Sequence, residues 1–117
     1  MTFAPVRKMA LTLEGVEEAT SYGTPAFKVG GKFMARYRPE LDALVVPMGI
    51  EAREELIAAD PETYFITDHY LKYPYILVRL ARVHPDAMQD LLRGAWRTVA
   101  AAKKATKRRG TRGKLDR

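Results

Sequence analysis

The chain has 117 residues, no cysteine, 47% hydrophobic and 29% charged residues, and a formal net charge of +6. That length suits one domain able to bury its own core, and the composition is that of a folded protein, not a disordered one. Disulfides, thiolate metal sites and nucleophilic thiols are excluded, and no apolar run approaches the ~18 residues that cross a bilayer.

Val6, Met9, Ala10 and Leu13 recur at helical spacing, with Pro5 suited to a first helical position and Gly15 just past the end. This predicts a short amphipathic helix. Pro5, Arg7 and Lys8 interrupt any signal-peptide pattern, so the cytoplasm is the expected location. Residues 16–22 read as a first strand, broken by Gly23, Thr24 and Pro25. Residues 27–29 and 33–37 alternate about Gly30, Gly31 and Lys32. A three-residue loop would set Val29 opposite Phe33, placing Phe27, Val29, Phe33, Ala35 and Tyr37 on one face and Lys28, Met34 and Arg36 on the other. That register is the one predicted. After a turn at Pro39, Glu40 and Leu41, residues 43–48 are apolar on both faces, the pattern of a central strand.

Residues 50–60 predict a second helix, with Glu51, Glu54 and Glu55 near the positive end of its dipole and Pro61 closing it. A short strand over 63–67 and a loop over 68–74 lead into the clearest strand, residues 75–82. There Ile76, Val78 and Leu80 alternate with Tyr75, Leu77 and Arg79. The last helix opens around His84, Pro85 and Asp86, and Met88, Leu91, Leu92, Ala95, Trp96 and Val99 form its apolar stripe. Past Ala102 the stripe stops. Residues 103–117 hold eight cations, Lys103, Lys104, Lys107, Arg108, Arg109, Arg112, Lys114 and Arg117, against Asp116, a net of +7. Residues 1–102 hold twelve cations and thirteen anions, a net of −1. General attraction to polyanions therefore belongs to the tail, which is expected to be a flexible, disordered extension of a domain covering residues 1–102.

The run from Gly23 through Thr24, Pro25, Ala26, Phe27, Lys28, Val29, Gly30, Gly31, Lys32, Phe33 and Met34 to Ala35 follows Leu13, Glu14, Gly15, Val16, Glu17 and Glu18. In this run and in its order of elements the chain resembles the MmcQ/YjbR family over roughly residues 3–102. Glu14 and Tyr75 stand where that family suggests Pro and Trp. The resemblance implies an α+β, frataxin-like two-layer sandwich, an antiparallel β-sheet with helices packed on one face. It also implies nucleic-acid binding, because the family's fold is similar to a double-wing module. The basic tail lies beyond the matching region.

For chemistry the sequence offers few convergent polar groups, and a non-enzymatic domain without cofactor or metal is expected. His84, before a proline at a helix start, reads as a capping or solvated residue. His69, beside Asp68 in a tyrosine-rich loop, is the one histidine placed to serve as base or ligand. Glu51 and Glu54 are read as favouring a helix N-terminus, not as an iron ridge, and Gly30, Gly31 and Lys32 lack the spacing of a phosphate loop. The leading expectation is weak, sequence-independent binding of DNA or RNA, with no membrane partner. Its contacts would come from Lys28, Arg36, Arg79 and the tail residues Lys103, Lys104, Lys107, Arg108, Arg109, Arg112 and Lys114. The alternative is a small-molecule or protein-binding scaffold that uses His69, Tyr70, Tyr73 and Tyr75, with Tyr64 and Phe65 in the same aromatic cluster.

Overall fold

Apolar residues that alternate in the middle of the chain and recur every three or four positions at its ends build a sheet flanked by helices. The computed structural model describes the backbone of residues 1–115 and the side chains of residues 1–102. In chain order the elements are α1 (Phe3–Leu11), β1 (Val16–Ser21), β2 (Thr24–Val29), β3 (Lys32–Arg38), β4 (Ala43–Pro47) and α2 (Ile50–Ala59). They are followed by β5 (Tyr64–Phe65), a 3₁₀ turn (Asp68–Tyr70), β6 (Tyr75–Arg79) and α3 (Pro85–Leu115). The flexible tail expected over residues 103–117 lies outside the described side chains.

The strands form one six-stranded sheet in the order β1-β2-β3-β4-β6-β5. Every neighbouring pair is antiparallel. Leu44 and Val46 of β4, Ile76 and Val78 of β6, and Phe27 and Val29 of β2 turn to one side. There they meet Val6 and Ala10 of α1 and Met88, Leu92, Ala95 and Val99 of α3, with Leu56 and Ile57 of α2 packed at the margin. This is the α+β two-layer sandwich the sequence led us to expect. Each Leu, Met or Val so buried contributes roughly 1.5–3 kcal/mol, so this layer supplies most of the drive to fold. Trp96 ties α3 to the turn before β1 by donating its indole N–H to Glu14 O at 2.7 Å. The doubly apolar β4 lies between β3 and β6, as its sequence suggested.

The predicted register of the β2–β3 hairpin is corrected. Gly30 and Gly31 have φ of 57° and 81°, and they form a two-residue turn with Val29 opposite Lys32. Two successive positive φ values are what a type I′ turn requires, and its twist matches the strands it joins. Alternation alone disfavours this turn because it mixes the two faces. A β-bulge removes the conflict: Phe27 pairs with Ala35 and Lys28 with Phe33, so Met34 is an extra residue on β3. Met34 therefore packs in the helix-side core, and Phe33 turns to the opposite face. Two further differences are small. Pro5 is the third residue of α1, still within the first turn where a missing N–H costs nothing. β6 ends at Arg79, where Arg82 N–H bonds back to Arg79 O and turns the chain.

Candidate functional site

Among the described residues no α-helix packs on the second face of the sheet, and its side chains follow from the register. Arg36 pairs with Val45, Val45 with Leu77 and Leu77 with Phe65, which sets one row across four strands. Arg38, Ala43 and Arg79 make the next row. Since neighbouring strands lie about 4.8 Å apart, Arg38 and Arg79 stand on either side of β4 roughly 10 Å from each other. The centre is apolar, with Ala43, Val45 and Leu77 buried beneath Tyr70 and flanked by Phe33, Phe65 and Tyr75.

Tyr70 reaches this face because the segment after β5 folds back over it. The agent is Arg53, on α2 and only 1% exposed. Its Nη1 donates to the carbonyls of Tyr70, Tyr73 and Tyr75 at 3.0, 2.6 and 3.1 Å, and its Nη2 donates to Leu71 O at 3.2 Å. A guanidinium presents five N–H donors in a fixed fork, so one side chain can bond several converging carbonyls at once, two of which, Tyr70 O and Tyr73 O, also accept the backbone N–H of Tyr73 and Tyr75. Glu54 lies 3.7 Å from Nη2 at the solvent edge.

Two adjoining hollows open beside Tyr70. A recess of about 170 Å³ is lined by Ser21, Tyr22, Phe33, Arg36, Val45, Tyr70 and Tyr75. A wider groove of about 480 Å³ is lined by Tyr22, Arg36, Arg38, Leu41, Thr67, His69 and Tyr70. They share Tyr22, Arg36 and Tyr70. Arg36 lies 5.0 Å above the Tyr22 ring and donates Nε–H to Thr24 Oγ1 at 3.2 Å. Tyr22 is 89% exposed and has φ of 53°, a left-handed backbone that bulky residues seldom adopt. Burial opposes the charge on Arg38. The neighbouring Glu40 carboxylate and Tyr70 hydroxyl outweigh it, and the guanidinium's pKa is raised above its ordinary value.

Of the residues singled out in the sequence, Lys28, Arg36 and Arg79 share the helix-free face, and Arg79 caps the Phe65 ring at 4.0 Å. His69 and Tyr70 line the groove, their rings edge-on at 4.9 Å, and Tyr75 lines the recess. Tyr73 is exposed, 6.2 Å from the His69 ring. Tyr64 does not join this aromatic cluster but packs on the helix side. The tail cations lie outside the described side chains. Sequence reasoning passed over Tyr22, Arg38 and Arg53. Tyr22 carried a signal, an aromatic at a Tyr-Gly turn position that favours Asn or Gly.

Fold and site together define a class: a small α+β sandwich whose helix-free sheet face bears a groove of arginine and tyrosine. A family model described as YjbR matches residues 11–98, and the chain belongs to the YjbR family. Uncharacterized proteins of Mycobacterium bovis and Mycobacterium tuberculosis are 44% identical over 41 residues, 35% of this chain and 32% of theirs. The match thus spans about a third of those relatives' length. The crystal structure of Deinococcus radiodurans protein DR2400, with a DUF419 domain, is similar with a TM-score of 0.70 at 25% identity. It covers 81% of this chain and 75% of that one. Among the described residues, no helix is long and apolar enough to cross a membrane.

Proposed function

We propose that this YjbR domain is a non-enzymatic module that binds nucleic acid weakly and without reading sequence, through the helix-free sheet face and the basic tail. The observation that carries the reading is the arrangement of Lys28, Arg36 and Arg79 on one face, with Arg36 over Tyr22 and Arg79 over Phe65. Cations beside aromatic rings suit a phosphodiester strand, since the cations neutralise phosphates while an exposed ring such as Tyr22 stacks on bases of any identity. The net +7 of residues 103–117 adds a local excess of positive charge to a nearly neutral body.

The test is fluorescence-anisotropy titration of a single-stranded and a duplex oligonucleotide at 50 and 200 mM salt. It compares the full chain with a chain ending at Ala102 and with the triple variant Lys28→Gln, Arg36→Gln, Arg79→Gln. Binding should weaken with salt, and the log-log slope on duplex should fall by about 0.9 for every cation–phosphate pairing that a variant removes. Failure of the full chain to bind either oligonucleotide at the lower salt contradicts the reading.

A further inference from the structure

The smaller of the two hollows differs from a polyanion track in one respect: most of its lining surface is apolar. The recess floor is Phe33, Val45 and Tyr75, with the Phe33 and Tyr75 rings edge-on at 5.7 Å. The recess is open to solvent and has a volume of about 170 Å³, against the ~150 Å³ of an enclosed cavity that accepts one benzene ring. At the shared rim stands Arg36, and just beyond it Arg38 and His69. No carboxylate lines either hollow among the described residues, although Glu40 reaches Arg38 Nη2 at 3.4 Å. Arg38 Nε, like Arg53 Nε, is buried and has no hydrogen-bond partner among the described residues. Among the described residues Arg36 hydrogen-bonds only through Nε, to Thr24, and its guanidinium also lies over the Tyr22 ring.

We infer that these hollows form a site for a small molecule bearing one planar ring and one anionic head, the ring in the recess against Phe33 and Tyr75 and the head between Arg36 and Arg38. Complementarity of two kinds selects the occupant. The apolar floor desolvates a ring and rejects a bare inorganic anion, which has nothing to place there. The paired guanidinium groups reject a neutral ring, because they bind an anion through charge-assisted hydrogen bonds. Tyr22 lines both hollows from a backbone conformation that works against it, and strain of this sort persists where a side chain is required in one position. The site shares Arg36 and Tyr22 with the nucleic-acid surface proposed above, but it needs no tail and no extended strand.

The experiment is amide NMR titration of the full chain with phenyl phosphate, benzoate, inorganic phosphate, benzyl alcohol and a single-stranded oligonucleotide. Phenyl phosphate or benzoate should shift the amides of Tyr22, Arg36, Arg38 and residues 67–70 and saturate, with inorganic phosphate and benzyl alcohol each binding about 10-fold more weakly. Arg38→Gln and, separately, the more exposed Arg36→Gln should each weaken phenyl phosphate binding by about 10-fold, while Arg79→Gln leaves it unchanged. Equal binding of phenyl phosphate and inorganic phosphate overturns the inference. So does binding indifferent to both groove arginines, or an oligonucleotide that depends on Arg38 when neither phenyl phosphate nor benzoate binds. Loss of oligonucleotide binding on ending the chain at Ala102, with phenyl phosphate binding intact, separates this site from the function proposed above.

Discussion

Arg53 Nη1 donates to the main-chain carbonyl of Tyr73 at 2.6 Å, joining α2 to a segment 20 residues later in the chain. The same guanidinium holds the carbonyls of Tyr70, Leu71 and Tyr75, so the wall of the groove is fixed from beneath by one buried cation. Arg53→Met removes these charge-assisted hydrogen bonds and should cost about 3 kcal/mol, read by urea unfolding. Arg53→Lys should recover only part of that, because an ammonium cannot span carbonyls held in a planar fork. Amide exchange over residues 68–75 should accelerate in both variants more than exchange in α3, which checks that the loss is local.

Tyr22 sits at a turn position with φ of 53°, where asparagine is at ease and tyrosine is not. Tyr22→Asn should therefore raise stability by about 1 kcal/mol in urea unfolding. The same substitution should weaken binding on the outer face, since it removes the ring beneath Arg36. A variant that became more stable and bound as well as before would show that the strain serves no ligand.

Gly31 has φ of 81°, and an added Cβ would meet no atom within 4 Å. Gly31→Ala should thus cost about 1 kcal/mol for conformational reasons alone, with no clash to relieve. Thermal unfolding should show a lowered midpoint and an unchanged fold by circular dichroism.

Burial, aided by Asp42, whose carboxylate accepts the hydroxyl's hydrogen bond at 2.9 Å, raises the Tyr37 pKa. Burial also raises that of Tyr64, with the Asp60 charge adding to it. Both groups hold their protons more tightly folded than unfolded. Their contribution is therefore complete below the ordinary tyrosine value of about 10 and is lost as pH rises through the folded values. Urea unfolding at pH 8.5 and 11 should show stability falling between the two. Tyr37→Phe should cost about 0.5 kcal/mol at the lower pH for its hydrogen bond, and should make the fall shallower.

What the sequence revealed follows from how local each signal is. The stripe Met88, Leu92, Ala95 and Val99 and the doubly apolar residues of β4 depend only on periodicity, and both lie where that periodicity put them. The hairpin was misread because alternation alone cannot show a bulge, and Met34 is as apolar as a core residue on either register. Arg53, set among glutamates, reads as one charge on a solvated helix. Its burial is decided by carbonyls that approach from 17 to 22 residues away. Arg36 and Arg79 could be named as outer-face cations from strand alternation, whereas Arg38 precedes a turn signal at Pro39 that drew the strand's end too early. The groove itself needed the fold-back of Tyr70, which no pattern near Tyr70 announces.

In the function proposed above, the helix-free face is the surface that meets nucleic acid. The most direct measurement is amide NMR mapping of the full chain during titration with a single-stranded oligonucleotide at 50 mM salt. The prediction is that shifts concentrate at Lys28, Phe33, Arg36 and Arg79. Shifts confined to α1 and the first turns of α3, or none at saturating oligonucleotide, would contradict it.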